Sequence, residues 1–398
     1  MHAWMLVHAV TKPLLWSQRF GPATAARQRQ RTGAWSIIKR EHADKPCCVA
    51  ERPVRYYSTM TNRQVRLRRR PVGAPTVDDF SIIDSPMPFA RDGEVLRRTI
   101  YLSLDPYMRG RMNDTRSYAP SVALGDVMVG GTVSEIIESK NQSAFQPGDF
   151  VVGMDGWQQY ASSPATGLRK IDPSVAPIST ALGVLGMPGL TAYVGLLDIG
   201  RPVAGETVVV SAASGAVGSA VGQIARLKGC RAVGIAGSRA KCDYVVNELG
   251  FDAAVDYTRD GFAETLRDAC PDGIDVYFDN VAGAVLEAVL RHINRGARIP
   301  LCGLISQYNA TTPPRGPNLA PLLTNRALIR GFIVFDHVDR FGAFLNECGA
   351  WVRRGDLRYR EDIVDGLDAA PQAFIGLLEG RNFGKQLVRV AADPTRQS

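Results

Sequence analysis

The segment from Val208 to Cys230, VVVSAASGAVGSAVGQIARLKGC, joins an apolar run, a glycine-bearing turn and a helical pattern. Consecutive valines are typical of a buried strand, and the apolar residues after Gly218 recur at helical spacing. A strand that leads through a short turn into a helix is the start of a βαβ unit, whose strands lie parallel. This feature restricts the fold strongly, because a parallel sheet needs helices on both of its faces.

The same alternation continues along the chain after Ala181. Helical stretches such as Val217–Leu227 and Arg239–Leu249 lie between apolar runs. The strand candidates are Thr207–Ala213, Arg231–Gly237, Ala253–Tyr257, Ile274–Asn280, Gly296–Gly303 and Ala327–Phe335. Strands and helices in alternation predict an α/β domain with a doubly wound parallel sheet.

The regions on either side of this domain have different patterns. From Val65 to about Pro177, short runs with period-two alternation are broken by Gly, Pro and Asp, which favours a β-rich, barrel-like domain. The residues after Phe335 contain two helical stretches and a strand, which we expect to pack on that barrel. The predicted division is a leader at residues 1–59, a barrel domain at residues 60–180 and 336–398, and a parallel-sheet domain at residues 181–335.

The turn after Val210 resembles the dinucleotide fingerprint G-x-G-x-x-G. Gly215 and Gly218 occupy the second and third glycine positions, and Ala213 occupies the first. Gly215 would let the backbone approach a pyrophosphate, and Gly218 would let the helix pack closely on the strand. N–H groups at a helix N-terminus favour anions. The candidate phosphate contacts are therefore Ser214, Gly215, Ala216, Val217 and Gly218.

The end of the second strand indicates which dinucleotide binds. A carboxylate there would bind the ribose 2′-hydroxyl of NAD, but this chain has Gly237. Gly237 leaves room for a 2′-phosphate, and Ser238 can donate a hydrogen bond to it. Arg239 and Lys241 offer positive charge. These residues predict NADP(H) as the cofactor.

After Met60, the sequence contains no set of residues at the spacing of zinc ligands. Only His292 and His337 follow Met60, neither has a Cys or Glu at ligand spacing, and no four-Cys cluster is present. We therefore predict no metal site and a hydride transfer that needs only a hydrogen bond on the substrate oxygen. Reduction of a C=C bond conjugated to a carbonyl fits, because negative charge develops on an enolate oxygen that a phenol can stabilise.

Eight stretches in order between Val65 and Val390 resemble one family. They are LSLDPYMRGRM (Leu102–Met112), LGVLGMPGLTAYVGLLDIG (Leu182–Gly200), SAASGAVGSAVGQIA, AGSRAKC, ELGFDAAVDY (Glu248–Tyr257), DVYFDNVAG (Asp275–Gly283), CGLISQYN (Cys302–Asn309) and GRNFGKQLVRV (Gly380–Val390). The family is the zinc-independent medium-chain dehydrogenase/reductases of the leukotriene B4 12-hydroxydehydrogenase, prostaglandin reductase and curcumin reductase group. The resemblance implies a GroES-like barrel, a Rossmann domain and a homodimer joined by its sheet edges. It also implies NADPH-dependent reduction of enones or alkenals, including molecules like 15-oxo-prostaglandins or curcumin.

The resemblance also implies roles for individual residues. Lys241 and Tyr257 should contact the 2′-phosphate end of the cofactor, and Asn280 and Asn382 should hold its nicotinamide half. Tyr308 takes the place of the tyrosine that hydrogen-bonds the cofactor ribose and the substrate carbonyl, which makes it the catalytic candidate. The segment that lines the nicotinamide ribose contributes Cys302, Gly303, Ile305 and Ser306, and Phe332, Ile333 and Val334 should pass near the carboxamide. Tyr107 and Thr191 are weaker candidates that could instead be packed in the core.

Two alternatives remain open from the sequence. A zinc-independent NADPH:quinone oxidoreductase would share the fold, although DPYMRGRM and ISQYN favour the enone reductase. An NADPH-binding protein that also binds RNA could use the basic run RQVRLRRRP (Arg63–Pro71), but the run stands alone and lacks interleaved aromatic residues. We therefore expect a small-molecule partner rather than nucleic acid.

Charge and cysteine content bear on the compartment. Of the net charge of +8, most lies before residue 61, where ten Lys and Arg face three acidic residues. This leader has the composition of a mitochondrial transit peptide, but we favour a translation start at Met60, which predicts a cytoplasmic protein. Seven scattered cysteines without a C-x-x-C pair suit a reducing compartment. No apolar run reaches the roughly 20 residues of a membrane span.

Overall fold

The computed structural model describes residues 60–396. The predicted leader, residues 1–59, lies outside the described residues. The first part of the described chain is β-rich, with one short helix. Its elements are β1 (Thr61–Leu67), β2 (Phe80–Pro86), β3 (Glu94–Ser103), α1 (Tyr107–Arg111), β4 (Thr132–Ser139), β5 (Phe150–Gly153), β6 (Tyr160–Pro164) and β7 (Arg169–Ile171). β1 and β2 form an antiparallel pair, and the other strands belong to a larger sheet.

The second part alternates strands with helices, as predicted. Its strands are β8 (Thr207–Ser211), β9 (Arg231–Ala236), β10 (Ala253–Asp256), β11 (Ile274–Phe278), β12 (Ile293–Leu301) and β13 (Leu328–Gly331). Its helices are α2 (Met187–Val194), α3 (Gly218–Leu227), α4 (Arg239–Asn247), α5 (Phe262–Ala269), α6 (Gly283–Leu290) and α7 (Ala320–Thr324).

All pairings within this sheet are parallel, in the order β10-β9-β8-β11-β12-β13. The central strand β8 is fully buried, since valines at positions 208, 209 and 210 are 0% exposed. The order reverses direction beside β8, and ligands of such sheets bind at this switch point, beyond the carboxyl ends of the strands. The doubly wound Rossmann sheet and the barrel-like domain that precedes it confirm the predicted fold class.

The C-terminal part consists of α8 (Phe341–Arg354), β14 (Glu361–Asp365), α9 (Ala370–Leu378) and β15 (Lys385–Arg389). β15 pairs antiparallel with β3 and parallel with β14, so the chain returns to the barrel sheet. Helix α8 behaves differently, because Phe344, Cys348 and Trp351 share a core with β8 and α3. The predicted limits 60–180 with 336–398 and 181–335 stay a prediction, and α8 packs on the parallel-sheet side.

The two sheets approach each other at the fingerprint turn. Gly215 pairs with Gly384 in an isolated parallel bridge, which places the turn beside the start of β15. The side-chain ammonium of Lys241 in α4 donates to the carbonyl oxygen of Gly380, which follows α9. The segment from Gly380 to Gly384 therefore lies along the edge where the parallel strands end.

Candidate functional site

The fingerprint turn keeps the two glycines for steric reasons. A Cβ atom at Gly218 would lie 2.3 Å from the carbonyl oxygen of Ala212, and one at Gly215 would lie 3.1 Å from it. Ala213 is fully buried, and the positive φ of the turn, 52°, falls on Ala212. Ala213 therefore needs no glycine conformation, which agrees with its place in the fingerprint.

The helix after the turn presents free donors. The sequence predicts its N-terminus at about residues 215–217, and α3 begins at Gly218. The first helical bond runs from the Ser219 N–H to the Gly215 carbonyl oxygen. Within the described residues, the N–H groups of Ala216 and Val217 make no backbone hydrogen bond. Such donors at the positive end of a helix can receive a phosphate.

The predicted 2′-phosphate residues come together around the start of α4. Ser238 caps this helix, since its hydroxyl oxygen accepts from the Lys241 N–H at 3.3 Å. A Cβ atom at Gly237 would lie 3.2 Å from the ring of Tyr257, so the half-exposed ring covers this glycine. Burial lowers the pKa of the Lys241 ammonium, and this ammonium forms no ion pair among the described residues.

Arg239, the second cation that the sequence suggests for this pocket, lies on the surface of α4. Its guanidinium pairs with Asp243 one turn along α4, at 2.8 Å, and is 80% exposed. An aspartate four residues away on the same helix face is a ready partner. Among the described residues, Lys241 forms no ion pair, whereas Arg239 is paired along the helix surface. A contact of either residue with a 2′-phosphate stays a prediction.

The amides of Asn280 and Asn382 are each fixed by the backbone. Asn280 donates from its side-chain nitrogen to the Ser211 carbonyl oxygen at 2.8 Å, and its N–H donates to the Ser211 hydroxyl at 2.9 Å. Asn382 donates to the Gly384 carbonyl oxygen at 2.8 Å. Both side chains keep an amide oxygen as a free acceptor in these contacts. A Cβ atom at Gly303 would lie 3.2 Å from the Asn280 carbonyl oxygen, so these two loops touch.

Tyr308 lies at the end of a short helical turn, Ile305–Gln307, which follows β12. Its phenol oxygen accepts a hydrogen bond from the Leu304 N–H at 3.3 Å and would lie 3.4 Å from a Cβ atom at Gly303. Burial raises the pKa of this phenol. The group therefore stays protonated, and its O–H proton remains available for donation.

The other residues of this loop have mainly structural contacts. Ser306 donates from its hydroxyl to the Val281 carbonyl oxygen at 2.6 Å, which ties the loop to the turn after β11. Cys302 is partly buried, and burial, together with the charge of Asp279, raises the pKa of its thiol to about 12. Ile305 is half-buried and donates its N–H to the Asn280 carbonyl oxygen at 3.3 Å.

Phe332 and Val334 turn their side chains into the core. The ring of Phe332 meets the ring of Phe278 edge-on, with centroids 6.2 Å apart. Val334 is buried in the core around β8, whereas Ile333 is half-buried. Cofactor contacts from this segment would therefore come from its backbone.

The two weaker substrate candidates differ in their surroundings. The Thr191 hydroxyl donates to the Met187 carbonyl oxygen of its own helix at 2.8 Å. This contact is structural, which is the alternative role that the sequence left open for Thr191. Burial raises the pKa of Tyr107, and the charge of Asp105 adds to this effect. Tyr107 is thus a neutral phenol at the barrel side of the site.

Tyr118 is a residue that the sequence reasoning missed. Burial raises the pKa of its phenol, the nearby Arg111 opposes this effect, and Cys302 and Asp105 lie within electrostatic range of it. The ionised form of Tyr118 would in turn raise the pKa values of Tyr107 and Tyr308, so the three tyrosines lie within electrostatic range of one another. No local pattern marks Tyr118, because it lies in an irregular loop without a motif.

The basic run at Arg63–Pro71 is largely occupied by protein contacts. Arg63 pairs with Asp368 at 2.6 Å, and Arg69 pairs with Asp79 at 2.6 Å. Arg70 donates to the Met112 carbonyl oxygen at 2.8 Å. These guanidiniums stabilise the barrel, which disfavours their use on a nucleic-acid backbone.

Residues 60–396 contain no group of three or more His, Cys, Asp or Glu side chains that could hold a metal ion. Within the same range, no helix is both long enough and apolar enough to cross a membrane.

Two family models match the chain. "N-terminal domain of oxidoreductase" covers residues 63–171, and "Zinc-binding dehydrogenase" covers residues 216–348. The residues of this chain do not fit the zinc of the second description, since its described part offers no ligand set. The chain belongs to the medium-chain dehydrogenase/reductase family, in the zinc-independent group that the sequence motifs predict.

Two proteins and one solved structure are similar to this chain over most of its length. NADPH-dependent curcumin reductase of Escherichia coli is 52% identical over 338 residues, which cover 83% of this chain and 98% of the relative. The NADP⁺-dependent 2-alkenal reductase of Nicotiana tabacum is 42% identical, over 84% of this chain and 99% of the relative. The structure of CurA from Vibrio vulnificus in complex with NADPH has 51% identity and a TM-score of 0.80, and the match covers 83% of this chain and 100% of CurA.

Proposed function

We propose that this protein uses NADPH to reduce the C=C bond of α,β-unsaturated aldehydes and ketones. The observation that carries the proposal is the neutral phenol of Tyr308, held beside Gly303 and the Asn280 turn with its proton free to donate. The relatives that act on curcumin and on 2-alkenals support the same chemistry, because both names describe conjugated carbonyl substrates.

The described residues fit NADPH as the cofactor. The glycine turn admits a pyrophosphate close to the backbone, where the N–H groups of Ala216 and Val217 are available. Ser238, Lys241 and Tyr257 lie around Gly237, and the Lys241 ammonium has no carboxylate partner among the described residues. When bound, NADPH supplies the hydride. The amides of Asn280 and Asn382 would hold the nicotinamide half.

Tyr308 would act on the substrate oxygen. As the β carbon of the enone accepts a hydride, negative charge develops on the carbonyl oxygen, and a hydrogen bond from the phenol stabilises this charge. A proton added at the α carbon completes the saturated product. The raised pKa of Tyr308 keeps the phenol in the form that donates.

A substrate panel tests this function. Alkenals, cyclic enones, 15-oxo-prostaglandins, curcumin and quinones would be assayed with NADPH and with NADH. We expect turnover of conjugated aldehydes or ketones with a strong preference for NADPH. Rapid quinone reduction without turnover of enones would overturn the proposal in favour of a quinone oxidoreductase.

We also propose that two copies associate through the free edge of the parallel sheet. β13 ends this sheet, and its residues are exposed, with Leu328 54% and Ile329 38% accessible. Leu323 beside it is 81% exposed. An unpaired apolar edge is a template for strand pairing. Light scattering should show a dimer that Ile329→Lys dissociates, while Val72→Lys at an exposed apolar site of the barrel leaves it intact.

For the compartment, we propose the cytoplasm, with the mitochondrial matrix as the alternative. Mass spectrometry of the mature N-terminus separates the two. A chain that begins at Met60 or Thr61 supports the cytoplasm, and one that begins at Ser58 supports import.

A further inference from the structure

Asp279 occupies a special place at the end of β11. It is 0% exposed. Its N–H donates to the Pro300 carbonyl oxygen at 2.9 Å, and its own carbonyl oxygen accepts from the N–H groups of Cys302 and Gly303, at 2.8 and 3.1 Å. The backbone of Asp279 thus joins the ends of two neighbouring strands, β11 and β12, where the site lies.

The side-chain carboxylate of Asp279 accepts hydrogen bonds from residues 277–282 and from Ser211. One oxygen accepts from the Tyr277 hydroxyl at 2.8 Å and from the N–H groups of Val281 and Ala282, at 2.9 and 2.8 Å. The Ser211 hydroxyl, at the end of β8, adds a longer contact of 3.3 Å. The other carboxylate oxygen is buried and has no partner among the described residues. Burial raises the pKa of this carboxyl.

The turn held by this carboxylate contains a strained residue. Ala282 has φ 62° and ψ −152°, a conformation that is essentially restricted to glycine. The hydrogen bond from its N–H to Asp279 holds it there. Gly283 follows with φ 56° and begins α6. Strained backbone of this kind persists only where the surrounding structure determines it strongly.

The same turn carries Asn280 and supports the loop of Tyr308. The Asn280 carbonyl oxygen accepts from the Ile305 N–H at 3.3 Å, and the Val281 carbonyl oxygen accepts from the Ser306 hydroxyl at 2.6 Å. Two hydrogen-bonded steps therefore lead from the Asp279 carboxylate to the segment that presents the phenol.

We propose that Asp279 is a positioning residue: it holds the turn at residues 280–283, and through it the loop at residues 302–308, in the shape that the nicotinamide half of the cofactor requires. It touches neither substrate nor cofactor, and it acts through Asn280 and Tyr308. The proposal rests on the proposed roles of those two residues.

The test compares two ligands on purified variants. NADPH binding is followed by its fluorescence, and adenosine 2′,5′-bisphosphate, which has the adenosine half of the cofactor without the nicotinamide, is titrated calorimetrically. Asp279→Ala should raise the dissociation constant of NADPH by about tenfold, because several buried donors lose their acceptor, and leave that of the bisphosphate within about twofold. Asp279→Asn keeps the accepting oxygen and should bind both ligands nearly as the wild type does.

Asp275 supplies a matched control at the opposite end of β11. Its carboxylate accepts from the Thr207 N–H at 2.9 Å and from the Asn294 side chain at 2.8 Å, away from the strand ends that form the site. Asp275→Ala should lower the thermal midpoint without changing either dissociation constant. Asp279→Ala that binds NADPH as tightly as the wild type, or that loses both ligands equally, would overturn the proposal.

A rescue variant tests the role of the strained residue. Glycine at position 282 adopts the observed conformation without strain, so Asp279→Ala with Ala282→Gly should recover part of the NADPH affinity. No recovery would contradict the link through Ala282. Asn280→Ala tests the proposed role of Asn280 separately from that of Asp279. Unchanged NADPH binding in Asn280→Ala would refute the role of Asn280. Weaker NADPH binding in Asn280→Ala, together with unchanged binding in Asp279→Ala, would refute only the role of Asp279.

Discussion

The Lys241 ammonium lies 2.5 Å from the carbonyl oxygen of Gly380, so the first turn of α4 is hydrogen-bonded to the segment that carries Asn382. Lys241 belongs to the predicted 2′-phosphate pocket, and Asn382 belongs to the predicted nicotinamide half. A single contact thus connects the residues assigned to the two ends of the cofactor.

Replacement of Lys241 should raise KM for NADPH much more than KM for NADH. Lys241→Ala removes a cation that would form charge-assisted hydrogen bonds to a 2′-phosphate, so KM for NADPH should rise by roughly ten- to a hundredfold, at about 1.5–3 kcal/mol. KM for NADH should change little. Arg239→Ala is the matched control, because Arg239 is already paired with Asp243. Equal increases for both cofactors would refute the assignment of Lys241.

Tyr308→Phe should act on turnover rather than on cofactor binding. Loss of the hydrogen bond to the developing enolate should lower kcat by about a hundredfold, as for single donors of oxyanion sites, with little change in KM for NADPH. Thr191→Val is a control, since the Thr191 hydroxyl is bonded within its own helix. An unchanged kcat in Tyr308→Phe would identify Tyr308 as a packing residue.

The pH dependence follows from the same phenol. Burial raises the pKa of Tyr308 above the ordinary value of 10.0, so the donating form persists across the neutral and moderately alkaline range. We expect the Tyr308-dependent part of kcat to stay level up to about pH 10 and to fall only above it. A fall with a midpoint near neutral pH would show that another group controls the rate.

Cys302 should resist alkylation although it lies beside a site for electrophilic substrates. Burial raises the pKa of its thiol to about 12, and the thiolate is the reactive form. N-ethylmaleimide at pH 8 should modify Cys302 in the folded protein far more slowly than in the unfolded chain. Peptide mass spectrometry after timed quenching measures this ratio, and equal rates would contradict the expectation.

Gly218→Ala should destabilise the fold, because its Cβ would lie 2.3 Å from the Ala212 carbonyl oxygen. Overpacking of this kind costs about 1–3 kcal/mol. Gly342→Ala in α8 is the matched control, since a Cβ there has nothing within 4 Å, and it should be neutral or slightly stabilising. Urea unfolding of both variants measures the difference. Equal stabilities would show that the turn relaxes around the added methyl group.

The buried pair of Lys385 and Asp105 offers a separate test of the barrel. The two charges lie 2.7 Å apart, and both side chains are less than 10% exposed. Lys385→Met leaves the Asp105 carboxylate buried without its partner, which should cost about 3–5 kcal/mol of unfolding free energy.

Arg389 provides the control on the same strand. Its pair with Asp365 is exposed, at 40% and 68%, so Arg389→Met should cost less than about 1 kcal/mol. Adding Asp105→Asn to Lys385→Met should recover part of the lost stability, because no unpaired charge then remains buried. Equal losses in Lys385→Met and Arg389→Met would contradict the buried-pair prediction.

Local features of the sequence determined the main architecture. The strand, glycine turn and helix at residues 208–227 predict a parallel sheet, because strand burial, turn geometry and helical spacing are properties of neighbouring residues. Gly237 and Ser238 predict a 2′-phosphate pocket for the same reason. Family membership followed from ordered motifs, which the relatives confirm.

Contacts between residues distant in sequence were decided only by the tertiary structure. The Asp279 carboxylate accepts a hydrogen bond from Ser211, 68 positions earlier, and the Asp279 carbonyl oxygen accepts from the N–H groups of Cys302 and Gly303. Helix α8 packs in the core around β8, although a linear division of the chain places it with the barrel. Such outcomes depend on which surfaces the folded chain brings together, since burial, donor count and charge are set by neighbours in space rather than by neighbours along the chain.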